Sequence, residues 1–321
     1  MRKKGYLLFS IVATMMMGCS NTTPSKQNTS ETGHQEKEEL IVGTFNIDIK
    51  APDNDVNDQR KLLSDKDVEI FGIQEVDKNT IRYEQRANYD PFTDFTKGPY
   101  KDSFFGQSIE FGGGGYGNGI VSKYPLKETK VVELYGMKEA PGAEQKQFYE
   151  IYKHFDYKDK TSSDRLMDIW GEGGLVTKGA LEPRSYSRAI FEKDKKKIAF
   201  YSTHLSVESF EVRTKQLEQL KKVLDEDPTE YKILVGDFNT DHGINEFNVF
   251  SKDYQISNGH NGVWLETMAE KDVARASLET SMAVKFLDNI IVSKNFEITD
   301  VDVIKTDLSD HYPLITTLKF K

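Results

Sequence analysis

The chain has 321 residues, 37% of them hydrophobic, a formal net charge of −9 and a single cysteine. That length suits one large domain or two small ones. The acidic balance gives no general attraction to nucleic acid or anionic lipid. One cysteine excludes an internal disulfide and, with no clustered histidine motif, argues against structural zinc.

At the N-terminus, Arg2-Lys3-Lys4 precedes an apolar run from Tyr6 to Met17, then Gly18 and Cys19. A basic head, a short apolar segment and a small residue before the cut form a secretory signal, too short to span a membrane and stay. Residues 1–18 resemble a bacterial lipoprotein signal. That resemblance implies lipidation of Cys19 and anchoring to the outer face of the cell membrane. Residues 19–39 are polar with almost nothing apolar to bury, so they are expected to be a disordered tether in which His34 is solvated.

The folded part begins with Leu40–Ile47, a core strand ending in polar Asn46. Asp55 to Asp65 has helical character, anchored by Leu62 and Leu63. Val68–Val76 is a second buried strand, with Glu75 near its end. A glutamate in so apolar a run is costly unless it is paired or bound to a metal. Ser103–Phe111 alternates as a strand. The run Gly112–Gly119 lacks the Lys-Ser/Thr ending and the helix of a phosphate-binding loop, so it reads as a flexible hairpin tip into strand Ile120–Lys123. Asn118, at that strand's entry, is a candidate site residue. Val131–Leu134 is a further strand.

From about Tyr135 to Leu181 the periodicity is lost, and Phe148, Tyr149, Tyr152, Phe155, Tyr157 and Trp170 mix with charge. A structureless loop of that length does not suit a compact domain. A partly helical insertion is expected, in a position to cover the site as a lid, with His154 on its surface. Arg184–Phe191 and Lys197–His204 then form a hairpin across Asp194-Lys195-Lys196, the second strand ending in His204. Phe210, Leu217, Leu220 and Leu224 mark one face of an amphipathic helix, with Arg213 and the lysines mostly on its solvated faces.

Ile233–Val235 is a buried strand that Gly236 ends, and Asp237 and Asn239 follow on one side. Ligands of α/β sheets collect beyond the carboxyl ends of strands. Aspartate offers charge to a metal or a proton, and asparagine a neutral donor to an oxyanion; an Asx-turn closing an ordinary strand is the plainer alternative. Short elements follow around Phe247–Phe250 and Trp264–Met268. Phe286–Val292 is a strand interrupted by Asp288, and the Asp310-His311 pair precedes the closing strand Ile315–Phe320. His242 and His260 read as solvated.

Polar residues thus stand at six strand ends or flanking turns: Asn46, Glu75, His204, the Asp237/Asn239 pair, Asp288, and the Asp310/His311 pair. An oxygen-rich set of this kind suits Mg²⁺ or Ca²⁺. In this order, the segments Thr44-Phe45-Asn46, Ile73-Gln74-Glu75, Gly117-Asn118-Gly119, Ser202-Thr203-His204, Gly236-Asp237-Phe238-Asn239, Leu287-Asp288-Asn289 and Ser309-Asp310-His311 resemble the endonuclease/exonuclease/phosphatase superfamily, of DNase I-like fold.

The resemblance covers residues 40–321 apart from the insertion. It implies an α/β four-layer sandwich, two mixed sheets face to face with helices outside. It also implies Mg²⁺-dependent attack of water on a phosphodiester or phosphomonoester, with Mn²⁺ or Ca²⁺ as other candidate ions. Carried over residue by residue, Glu75 would hold the metal, with Asn46 and Asp310 close by. Asp288 would orient His311, a base for which Asp237 is the rival. Asn239 and His204 would contact phosphate oxygens, Asn118 would orient His204, and Arg184 resembles a phosphate-contacting arginine. Arg213 and Gln216 also look family-like, but surface or packing roles suit them better.

Three substrates compete: nucleic acid, a sphingomyelin-type phospholipid head group, and a phosphoinositide or other sugar phosphate. The insertion's aromatics could stack bases or touch lipid. The chain is expected to be monomeric, with its membrane contact through the lipid anchor. A non-catalytic lipoprotein binding a ligand or partner on the same fold is the alternative class.

Overall fold

Alternation along the strands decides which layer each side chain enters. The computed structural model describes residues 39–48, 55–136, 142–240, 245–270 and 285–321; Cys19, the tether up to residue 38 and His242 lie outside them, and Glu39, expected to close the tether, is already strand. The strands are β1 (Glu39–Asn46), β2 (Ile70–Lys78), β3 (Asp102–Phe111), β4 (Gly114–Ser122), β5 (Lys127–Glu133), β6 (Ser185–Lys193), β7 (Lys196–His204), β8 (Tyr231–Asp237), β9 (Tyr254–Ile256), β10 (Asp288–Ser293), β11 (Phe296–Val303) and β12 (Leu314–Phe320). They form two six-stranded sheets, in the orders β11-β12-β1-β2-β4-β3 and β5-β6-β7-β8-β10-β9. Each sheet has a central parallel pair, β1–β2 in one and β7–β8 in the other. Antiparallel neighbours flank each pair.

Leu40, Val42 and Ile70 of the first sheet meet Phe200, Ile233 and Val235 of the second in one buried cluster. Each such aliphatic side chain, fully buried, contributes about 1.5–3 kcal/mol. Gly72 makes the close approach possible: a Cβ there would lie 2.4 Å from Val235 Cγ2. Residues one step out of phase face outward and are covered by helices. These are α1 (Val56–Ser64), α2 (Phe92–Phe95), the insertion helices α3 (Gly142–Lys153) and α4 (Lys160–Trp170), then α5 (Phe210–Glu226) and α6 (Asn248–Ser251). Val56, Leu63 and Phe95 pack with Phe71 and Val121 outside the first sheet. Leu217, Leu220 and Leu224 pack with Tyr201 and Leu234 outside the second. Asp55, Asp159 and Ser209 cap α1, α4 and α5 through their side chains, which ends each entry loop cleanly. The expected four-layer sandwich is what forms.

Three local expectations need correction. The glycine-rich run is strand from Gly114 onward, with only Gly112 and Gly113 in the turn. Its glycines serve close packing: a Cβ on Gly117 would lie 2.2 Å from the Gly106 carbonyl oxygen. Asp288 does not interrupt a strand but begins one. On α5, Phe210 is 53% exposed whereas Arg213 and Gln216 are buried. Their polar atoms are satisfied there, Arg213 by Glu246 and Gln216 by Ser206 and Tyr135, so burial carries no unpaired-group penalty.

Candidate active site

The pairing directions bring the polar strand ends to one rim. β1 finishes at Asn46, opposite Gln74 of β2, which runs on to Lys78, and β7 and β8 finish with His204 opposite Asp237. Antiparallel strands that flank these pairs begin where the pairs end. β10 starts at Asp288, opposite Asp237, and β6 starts at Ser185, just after Arg184. β12 starts at Leu314, opposite Thr44, which sets Ser309–His311 beside Asn46; the Ser309 hydroxyl donates to the Asn46 carbonyl at 2.7 Å.

Asp237 is the hub. Its Oδ2 accepts from Asn46 Nδ2 at 3.0 Å across the two sheets. The same oxygen lies 3.4 Å from His204 Nε2 and 3.7 Å from His311 Nε2. Its Oδ1 accepts from the backbone N–H of Asn239 at 2.9 Å. Asn239 adopts a left-handed backbone, φ 49°, which asparagine tolerates better than most residues. From there its amide reaches His204 Nε2 at 3.0 Å and the Leu205 carbonyl at 2.9 Å. His311 Nδ1 lies 2.7 Å from Asp288 Oδ2, with both side chains buried. Burial works against an imidazolium here, but Asp288, Asp237 and Asp310 outweigh it and raise the His311 pKa well above its usual value.

Glu75 belongs to a second group. Residues Gln74 and Glu75 of β2 face the single residue Asn118 of β4, a β-bulge, and Glu75 takes φ 59° within it. A left-handed non-glycine residue costs of order 1–3 kcal/mol, and bulges re-aim side chains at functional rims. Gln74 beside it is buried, donating to Ser202 and accepting from Thr44, both at 3.2 Å. Burial disfavours the Arg184 guanidinium's charge, but Glu182, Glu208, Tyr116 and Glu75 more than compensate.

The expected residues therefore divide. Asn46, His204, Asp237 and Asn239 are joined by hydrogen bonds and close polar contacts, and the hydrogen-bonded Asp288–His311 pair approaches Asp237 at 3.7 Å, with Asp310 next to His311. Arg184 has one Nη paired with Glu182 at 3.0 Å and lies within electrostatic range of Glu75. Asn118 does not orient His204 through a bond the structure shows; its amide donates to the Ser185 carbonyl at 2.9 Å, tying the two sheets together. Of the other histidines, His154 is exposed beside Glu150.

The donor set fits a hard divalent cation. Glu75, Asp237, Asp288 and Asp310 bring more negative charge than Arg184 and His311 offset, and every donor of Glu75, Asn46 and Asp310 is oxygen. Asp237, Asp288 and His311 also place one ligand atom each within 4.8 Å of one another, a buried group that could hold an ion. In that group Asp288 Oδ2 is engaged by His311 Nδ1, while Asp288 Oδ1 is buried with no hydrogen-bond partner among the described residues. Sequence reading missed Glu182 and Tyr152, which support Arg184, and Glu246, which pairs with Arg213. The spacing Gln145, Phe148, Tyr152 on one helix face was the available signal.

Two face-to-face mixed sheets clothed in helices, with this rim, define a DNase I-like α/β sandwich. Residues 43–311 match the model of the Endonuclease/Exonuclease/phosphatase family, and the chain belongs to that family. Its members are in general phosphoester hydrolases and typically use divalent metals. Among solved structures, an endonuclease/exonuclease/phosphatase from Bacteroides vulgatus is similar, with TM-score 0.60 and 16% identity over 88% of this chain and 99% of that one. A mannosyl-6-phosphatase from Bacteroides thetaiotaomicron gives TM-score 0.55 and 18% identity, over 88% of this chain and 100% of that one. D. rerio TDP2 complexed with single-strand DNA product gives 0.56 and 15%, over 88% and 99%. No curated protein matches the chain by sequence.

Proposed function

We propose that the protein is a divalent-metal-dependent phosphoester hydrolase held at the outer face of a bacterial membrane by lipidated Cys19. The observation that carries the hydrolase reading is Asp237 Oδ2, within 3.7 Å of three side chains, two from the ends of β1 and β7 and one from the turn before β12. Glu75, with Asn46 and Asp310, would hold the metal, which when bound supplies Lewis-acid stabilisation of phosphoryl charge. Asp237 accepts the proton of the attacking water, fixed by the amide of Asn46 and the backbone of Asn239. His204 and Asn239 orient each other toward the phosphoryl oxygens. His311, whose pKa its carboxylate neighbours raise, would add positive charge in its protonated form as the transition state gathers negative charge. The anchor rests on the basic head, the short apolar run and the lone cysteine at its end.

The test is a substrate panel on the purified chain. Bis-p-nitrophenyl phosphate and p-nitrophenyl phosphate separate diester from monoester hydrolysis. Single-stranded DNA, sphingomyelin vesicles and a sugar phosphate then define the substrate class. Turnover with Mg²⁺ that stops with EDTA is expected; no turnover on any member contradicts the reading. Detergent-phase partitioning that disappears in Cys19→Ser is the matching test of the anchor.

A further inference from the structure

Arg184 stands just before β6, and its partner Glu182 is held in turn by the insertion. Gln145, Phe148 and Tyr152 recur on one face of α3 and are its buried residues. The Gln145 amide clamps one residue of the incoming chain twice: Nε2 donates to the Leu181 carbonyl and Oε1 accepts from the Leu181 N–H, both at 2.9 Å. One residue on, the Tyr152 hydroxyl donates to Glu182 Oε2 at 2.9 Å, and Glu182 Oε1 pairs with Arg184 Nη2 at 3.0 Å. The Glu182 N–H donates to Glu208 Oε1 at 2.8 Å, from the loop that follows His204. Tyr152, Glu182 and Arg184 are only 4%, 8% and 6% exposed, so these bonds are sheltered from water.

A guanidinium has five N–H donors. Glu182 engages Arg184 through one Nη, and Arg184 Nε is buried with no hydrogen-bond partner among the described residues. The group is held in place yet retains donor capacity beside the rim. We infer that the insertion is a buttress for anion binding: Tyr152 and Glu182 are positioning residues that fix the Arg184 guanidinium against a phosphoryl oxygen. Fixing it beforehand removes the side-chain ordering that the ligand would otherwise oppose. The inference rests on the hydrolase reading for the identity of the anion, and its test is separable from turnover.

Inorganic phosphate, titrated calorimetrically into the full chain with Mg²⁺ present, is the probe. Arg184→Gln is expected to weaken phosphate binding at least about tenfold, the loss of a hydrogen bond to a charged group. Tyr152→Phe removes one hydroxyl and should weaken it by about three- to tenfold, with the Tm held. In the Arg184→Gln background, Tyr152→Phe should change nothing further, because its effect passes through Arg184. Glu182→Gln should show the same non-additivity, which keeps the test valid if Tyr152→Phe folds poorly. Undiminished phosphate affinity in both Tyr152→Phe and Glu182→Gln, effects that multiply in the double variants, or no phosphate binding by the wild type overturns the inference. If the binding pattern holds while no ester is turned over, the buttress stands and the hydrolase reading falls.

Discussion

On the β7–β8–β10 side of the rim, Asp237, Asn239, His204, His311 and Asp288 reach one another through short polar contacts. On the β2–β4–β6 side, Glu75 takes a left-handed backbone in a bulge, and Arg184 is clamped by Glu182 from a segment that the insertion grips. The first side needs the strands to pair and one left-handed residue, Asn239, just past the end of β8. The second needs a distorted strand and an added helix to stay in place. Chemistry that moves a proton is built here from strand ends and the turns beside them, while charge placement for the metal and the anion draws on a bulge and an added helix.

Variants can break either side separately. The largest effect is expected from Asp237→Asn, which should lower kcat by about 100–10,000-fold. His311→Gln should lower it by about 100–1,000-fold. The order of the two losses, read by steady-state kinetics on one substrate, sharpens the assignment; a greater loss for His311→Gln would make His311 the base. Next comes Arg213→Leu, which leaves Glu246 buried without its partner. Arg213 and Glu246 join the Ser206 carbonyl to Thr240, the loops following His204 and Asn239. A loss of about 3–5 kcal/mol in urea unfolding is expected; a change under about 1 kcal/mol would show the pair is not a brace.

Glu75→Gln should act on the other side alone. Mg²⁺ binding, followed by calorimetry or by the Mg²⁺-induced rise in Tm, should weaken by at least the roughly 10–100-fold typical of losing a supporting group at a metal site. Unchanged Mg²⁺ binding would move the metal toward the Asp237/Asp288/His311 group. The smallest effect belongs to neither side. Burial opposes the Asp227 carboxylate, but hydrogen bonds from Thr229, Tyr201 and Arg188 lower its pKa from 3.8 to about 2. A lowered folded-state value means stability that is present above pH 3.8 and lost as pH falls toward about 2. Asp227→Asn should therefore flatten the acid limb of a Tm–pH curve in that window, without changing turnover near neutrality.

Much of the first side could be read from residue order. Each of Asn46, His204 and Asp237 follows an apolar run that must be a core strand, and a strand end is where polar side chains gather. Asp288 could be recognised for the same reason, although its run starts with the carboxylate. The second side was less legible. A bulge shifts register by one residue without any compositional mark, so the backbone at Glu75 could not be foreseen. Nor could the pairing of Tyr152 with Glu182, since Tyr152 lies on a helix and Glu182 in the irregular segment before β6, which has no period to read. Arg213 was misread because a buried arginine depends on a partner, Glu246, that lies 33 residues away.

Crystals grown with Mn²⁺ and inorganic phosphate, measured at the manganese absorption edge, test the central arrangement most directly. The account predicts one anomalous peak bonded to Glu75, with phosphate oxygens reaching Asn239, His204 and Arg184. A peak bonded instead to Asp288 and His311, with Glu75 turned away, would contradict it.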